Sequence, residues 1–586
     1  MDKGGIGRWA LFGLSFVLLM FIMPKACGGS NELQPIRELE VRLPETRATA
    51  KLCDLWGPRF HARLTTEGAG LVSFNLTTAK YRKKGEPIDL VTTPDHELHR
   101  QLFIGFRNDA VAPLGDAKWN VAYDSLDWNL RRADGKRCDF FWSDDRVELT
   151  KTVSVTERPY ELEVHASIKN LAEARLRHAV TAGTDAWRYH HEVSGSMFRQ
   201  SPFLSHVECV SQESQTTRLA PDAFEASDFE KEAPFHTGGT SDGWWYQAPG
   251  SAGYAAVSTA YFSHALVATG PPGEAACQLQ IWERWHADQF KSKNDDPNYG
   301  SYYRGRIAYP AKDLGKGESA SYSLLSYIGP KERDVLAVAG GGTHHLSELI
   351  DLGFFSVIAK VLVAFLLKVH GVIGNWGLSI VILTFTARTL LFPLMWPSIR
   401  NMVRMRELKP EMDELTAKFK DDAQQRGVAQ MELWRKHNVN PLKGCLPQLA
   451  SMPVWFALYT TLQTAVELYN IPLLWFPDLS GPDPYYILPF VIGATSFVQQ
   501  RLMPPQQDPV QQKMMLYFMP AMFMVFMLVL PSGLGIYMFT NGCIGIAQQR
   551  IVEFYVKRQA GEKKSEPAKT APASPKKGSR AAKPAE

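Results

Sequence analysis

The sequence predicts a multi-pass α-helical membrane protein of six spans, carrying a large all-β sandwich domain outside the membrane. Three observations predict it. Long apolar runs crowd the C-terminal half of the 586 residues. Short stretches of alternating hydrophobicity fill the N-terminal half, and period-two alternation marks half-buried strands. The cations are also sorted unevenly among the loops between apolar runs, as they are in proteins that cross a bilayer.

The N-terminus opens with Lys3 and Arg8 before an apolar run from Trp9 to Met23, stopped by Pro24 and Lys25. Residues 1–30 are read as an uncleaved anchor, with a cleaved signal peptide as the alternative. Residues 31–346 follow as the external β-sandwich. Arg146–Val155, Tyr160–Ile168 and Ser321–Ile328 show its alternation, and Gly, Pro, Asn and Asp punctuate it. Cys53, Cys138, Cys209 and Cys277 lie in this body, where one or two disulfides are possible and the spacing does not choose a pairing. No metal-ligand spacing occurs. His190-His191, Trp244-Trp245, Asp242 and Glu283 offer a carbohydrate site as a minor alternative to aromatic core filling.

Five further spans are expected at 374–396, 446–466, 485–500, 514–530 and 534–550. The loop 397–445 between the first two is basic: Pro397 to Gly444 holds ten Lys or Arg residues, and Glu467 to Pro484 holds none. The positive-inside rule places 397–445, 501–513 and the tail 557–586 in the cytoplasm, and 467–484 outside with the β domain. Both termini are then cytoplasmic. Residues 352–371 are apolar but interrupted by Lys360 and Lys368. A span there would reverse every later loop, so an amphipathic helix in the outer interface is expected. Within 397–445, Met402, Met405, Met412, Leu415 and Phe419 make one stripe, and a turn at Asp421-Asp422 implies a helical hairpin. The tail is rich in Lys, Ala, Pro and Ser and is expected to be disordered.

Arg388 carries the chemistry. It lies eight residues before Trp396, so about 12 Å inside the span at about 1.5 Å per residue. A charge at that depth costs about 2.5–3.5 kcal/mol on insertion scales. No apolar run supplies an Asp or Glu to offset it. A lone cation there needs water or an outside ligand, which implies a hydrophilic groove open to the cytoplasm. Thr384 sits one turn before Arg388. Ser451, Gln499, Gln500, Tyr537, Thr540 and Asn541 are the other expected lining residues, the last three sharing a face at i, i+3 and i+4.

Taken in order, Gly374-Asn375-Trp376-Gly377, Thr384-Phe385, Arg388, Phe392-Pro393-Leu394, Asn440-Pro441-Leu442, Gly444-Cys445-Leu446-Pro447, Asp483-Pro484-Tyr485-Tyr486, Asp508-Pro509, Met519-Pro520, Pro531-Ser532-Gly533-Leu534 and Gln548-Gln549 resemble the YidC/Oxa/Alb membrane insertases. The resemblance covers residues 354–555; the anchor and external β domain resemble the Gram-negative form. It implies a chaperone of nascent inner-membrane proteins, with a five-helix core around a groove. Arg388 matches the groove arginine, Thr384 and Tyr537 match substrate-contacting positions, and Met538 stands where an aromatic residue is common. It also implies partnership with the Sec translocon, ribosomes and membrane lipids, with no cofactor and no enzyme chemistry. No phosphate-binding GxxxxGK[ST] loop is present. A transporter or channel with an anion site at Arg388 is the other reading. It would need coupling charges or an internal repeat, which the sequence does not show.

Overall fold

A computed structural model describes residues 40–41 and 48–565, except 84, 95–99, 111–120, 124–125, 194–204, 222–223, 225–244, 270–274, 287–288, 420–421, 438, 440 and 504–511, and except the side chains of 40–41, 107–110, 121–122, 423, 441–451, 455 and 560–565. The expected anchor at 1–30 lies outside the described residues, as do Asp242 and Trp244.

The chain divides into two units: residues 1–351 with 463–472, and residues 352–462 with 473–586. The first is a two-layer β structure. One layer is an eight-stranded sheet in which Leu176–Tyr189 lies between Phe103–Ala110 and Gly300–Ala308. The other is a nine-stranded sheet in which Glu161–Asn170 lies between Val147–Val155 and Ser319–Pro330. Alternation decides the register. In Val147–Val155, Val147, Leu149, Lys151 and Val153 face inward and the residues between them are half-buried, as a pleat with one core face requires.

The cysteines resolve as Cys53–Cys138 and Cys209–Cys277, closing separations of 85 and 68 residues. Two of the described residues raised as a carbohydrate site, Trp245 and Glu283, have partners within the β unit. Trp245 is buried under the guanidinium of Arg306, 3.6 Å from its ring centre. Glu283 accepts from Lys293 Nζ at 2.6 Å and from Tyr299 Oη at 3.1 Å.

The second unit is helical. Helix α1 spans Ser356–Ile373 and α2 Trp376–Glu407. Two short helices follow, α3 at Lys409–Lys418 and α4 at Ala423–Lys436, then α5 at Pro441–Thr464. Helix α6 is Ile487–Leu502, α7 runs over Met514–Met527 with a π-helical first turn, and α8 is Ser532–Ser565. Among the described residues, α1 and α2 are long and apolar enough to cross a membrane; Met514–Met527 is apolar but shorter. Helix α1 passes that test despite Lys360 and Lys368, in the stretch where an interfacial helix is expected from sequence.

Several boundaries differ from the sequence expectation. Helix α2 continues past 396, through Pro393 and Pro397, because its later turns have a partner. Met395, Ile399 and Val403 pack on Val552 and Val556 of α8. The same contact corrects the tail. Residues 557–565 extend α8 rather than lying in disorder, supported by Lys557 Nζ at 2.9 Å from Glu553 one turn earlier; residues 566–586 lie outside the described residues. Met402 and Met405 belong to α2, and the α3–α4 core is Met405, Leu408, Met412, Trp434 and Val439. Asp422 caps α4, accepting from the amides of Gln424 and Gln425.

Candidate functional site

Helices α2, α6 and α8 converge on Arg388. Its Nε donates to Asn541 Oδ1 of α8 at 2.5 Å. Its backbone carbonyl accepts from Gln548 Nε2, also on α8, at 3.1 Å. Gln499 Nε2 of α6 donates to the Gly542 carbonyl at 3.2 Å. Two glycines make this approach possible. A Cβ at Gly542 would lie 2.8 Å from Thr495 Cγ2, and one at Gly545 would lie 2.9 Å from Gln499 Nε2 and 3.7 Å from Arg388 Nη2. Small residues are what allow membrane helices to come this close.

Every group holding Arg388 is neutral. A guanidinium has five N–H donors, and Asn541 takes one. Among the described residues no carboxylate pairs with Arg388. Tyr537 is buried at 4% exposure and lies within electrostatic reach of Arg388. The half-buried cation thus keeps donor capacity for an anion or for water.

The expected lining residues divide. Arg388, Asn541, Gln499 and Tyr537 come together. Thr540 and Gln500 are half-buried. Thr384 is 1% exposed, and its hydroxyl donates to the Ile380 carbonyl at 2.7 Å, so that group serves its own helix. The side chain of Ser451 lies outside the described residues. Gln548, Gly542 and Gly545 were not singled out as site residues from sequence. The signal was available in Gln548-Gln549, an amide pair in an apolar helix, and in glycines spaced along one face of α8.

One end of the site is fastened by short polar contacts. Asp483 is buried; its Oδ2 accepts from the Leu488 amide at 2.7 Å, and its Oδ1 from Trp475 Nε1 at 3.2 Å. That anchors the start of α6. The Ser532 and Gly533 amides donate to the carbonyls of Gly481 and Leu479 at 2.7 and 2.8 Å, which anchors the start of α8. At the far end of α8, Glu553 Oε1 meets Arg406 Nη2 of α2 at 2.6 Å.

Residues 368–559 match a family model described as 60Kd inner membrane protein, and residues 55–365 match the YidC periplasmic domain. A membrane protein insertase YidC of Anaeromyxobacter sp. (strain K) is 34% identical over 518 residues, covering 85% of this chain and 84% of that protein. One of Geobacter sp. (strain M21) is 42% identical over 247 residues, 42% of this chain and 45% of that protein. A solved structure of an active YidC insertase with its first transmembrane domain resolved aligns over 92% of this chain and 98% of its own, at 15% identity and a TM-score of 0.34.

Proposed function

From the premise that this chain belongs to the YidC family of membrane protein insertases, we propose that it inserts nascent inner-membrane proteins through a hydrophilic groove centred on Arg388. The observation that supports the groove is the neutral setting of that cation: Asn541 accepts from it, Gln548, Gln499 and Tyr537 lie about it, and among the described residues no carboxylate pairs with it. A substrate's short polar segment enters from the cytoplasm, and an acidic one supplies the missing charge. Its apolar segment moves along the exposed faces of the helices into lipid, driven by burial at roughly 25 cal/mol per Å². The membrane potential assists outward movement of acidic groups by about 2.3 kcal/mol per charge per 100 mV. Arg388, Asn541, Gln499, Gln500, Tyr537 and Thr540 line the path, with Thr384 supporting α2 from behind.

The same reading gives six spans, both termini in the cytoplasm and the β unit in the periplasm. Helix α1 lies along the outer interface on this reading, because crossing there would move the ten cations of Pro397–Gly444 outside. Nascent chains arrive from ribosomes or from the Sec translocon, and the basic tail assists through phosphate contacts.

The test is reconstitution of the full chain alone in lipid vesicles with a single-span substrate bearing an acidic tail. Insertion without other proteins is expected. In a variant with Cys445 and Cys543 changed to Ser, Thr540→Cys should react with a charged thiol reagent applied to the cytoplasmic side. A dry, unreactive position would remove the groove.

A further inference from the structure

An arginine can meet a carboxylate along either of two edges of its guanidinium, Nε with Nη2 or Nη1 with Nη2. At Arg388 the first edge is already taken, because Nε donates to Asn541 Oδ1 at 2.5 Å. The amide oxygen has to face Nε, since arginine offers no acceptor to the Asn541 NH2 group. The second edge is treated differently. Among the described residues, neither Nη1 nor Nη2 of Arg388 has a hydrogen-bond partner. Nη2 lies beside Gly545, where a Cβ would come within 3.7 Å of it. Asn541, Gly545 and Gln548 stand at i, i+4 and i+7 of α8, on one face of the helix. That face places an amide oxygen on Nε, an absent side chain beside Nη2, and the Gln548 amide on the backbone carbonyl at 3.1 Å. The base and one edge of the side chain are fixed, and the other edge is left open.

The chemistry at 541 matters as much as the position. Aspartate would fit the same place with the same acceptor atom, and its charge would complete an ion pair before any substrate arrived. Asparagine holds the guanidinium and leaves its charge uncancelled. We propose that Asn541 is a positioning residue: it holds Nε of Arg388, presents the Nη1–Nη2 edge to the groove, and so selects a substrate carboxylate gripped end-on by two donors. The proposal rests on the insertase reading and deepens it. Asn541 acts through Arg388, so its effect falls on acidic substrates and disappears when Arg388 is removed.

The experiment measures two insertion rates for each full-chain protein in lipid vesicles. One is for the acidic-tailed substrate, the other for the same substrate with its tail carboxylates changed to amides. Their ratio is read, because misfolded protein lowers both rates alike. Asn541→Asp should lower the ratio to the level that Arg388→Ala gives, up to about tenfold below wild type. Asn541→Leu removes the acceptor without adding charge and should lower the ratio about threefold, at the small end of one hydrogen bond. In an Arg388→Ala background, Asn541→Leu should leave the ratio unchanged, since the group it held is gone. A wild-type ratio in Asn541→Asp or Asn541→Leu would overturn the proposal, as would an equal fall with Arg388 absent. If Asn541→Asp inserts neither substrate, the Asn541→Leu ratio decides alone. A wild-type protein that inserts nothing, or that inserts both substrates at one rate, would sink the groove reading instead.

Discussion

Arg304 in the β unit is buried and Arg388 in the helical unit half-buried, and their surroundings are opposite. Arg304 is 1% exposed and paired with Asp185 at 2.9 Å. Gln280 accepts from its Nη1 at 3.1 Å, and the Trp245 ring lies 4.9 Å away. Arg388 has an amide, a phenol nearby and, among the described residues, no carboxylate. The β unit holds a third case. Lys151 is fully buried, its ammonium donating to the carbonyls of Ala69 and Leu102 at 2.7 and 2.6 Å, and burial pushes it down to about 7. A buried cation can be paired, can lose its proton, or can wait for a ligand. Arginine does not titrate in the accessible range, so the second course is closed to Arg388. On the function proposed above, the difference separates a side chain that holds a fold together from one that serves a guest.

The comparison breaks first at Asp185. Asp185→Ala leaves Arg304 buried without its anion, and such breakage costs about 3–5 kcal/mol. Urea unfolding of the full chain, followed by tryptophan fluorescence, should show a loss of that size. A loss below about 1 kcal/mol would mean that Arg304 is as self-sufficient as Arg388, and the contrast would fail.

Lys151 sharpens it next. Its folded value is about 7 against an ordinary 10.5. Between those values the unfolded chain binds more protons, so folded stability rises with pH through that window, by up to about 1.4 kcal/mol per pH unit. Lys331, also buried and lowered to about 8, joins above pH 8. Lys151→Met should therefore flatten the unfolding free energy between pH 7 and 8 and leave a slope above it. A slope unchanged by the substitution would assign the effect elsewhere.

Arg388 comes third. Replacing it with Ala should slow insertion of an acidic-tailed substrate about tenfold, the equivalent of about 1.4 kcal/mol of lost attraction. Lys should restore the rate to within about threefold, and a substrate without acidic residues should be slowed less. Equal slowing of both substrates would make Arg388 a packing residue, like Arg304.

How much of this was legible in the sequence follows from which contacts are local. Strand alternation, the apolar runs and the lack of an Asp or Glu in the runs around Arg388 are properties of neighbouring residues or of a whole run's composition, so they could be read directly. The convergence of Asn541 and Gln499 on Arg388 needs three helices in register, and only the polar face of Tyr537, Thr540 and Asn541 hinted at it. Hydropathy marks where a bilayer would end, not where a helix ends. That is why α2 and α8 outrun their expected limits, held together by Ile399, Val403, Val552 and Val556. Sequence could not show that the Thr384 hydroxyl returns to the backbone of its own helix, because spacing fixes its face and not its partner. The disulfide pairing and the docking of 463–472 into the β unit depend on residues far apart in sequence, and no local pattern announces either.

The smallest effect belongs to Glu553, where the helical unit does pair its cations. Glu553 is 5% exposed, and Arg406, Lys557 and Arg550 approach it at 2.6, 2.9 and 3.4 Å. The carboxylate is buried but its three partners reach into solvent, Lys557 and Arg550 mostly so. Screening and side-chain entropy hold such pairs to about 0.2–1 kcal/mol each. Glu553→Gln keeps the size and part of the hydrogen bonding, so the melting temperature of the full chain should fall by only about 2–4 °C. Salt decides the interpretation: a solvent-facing network should lose most of the difference at about 1 M salt, where the Debye length is about 3 Å. A large, salt-independent loss would show that α2 and α8 are joined by a desolvated pair of the Arg304 kind. Arg388 would then sit in a unit that pairs its cations firmly elsewhere, and the lack of an anion for it among the described residues would stand out more sharply still.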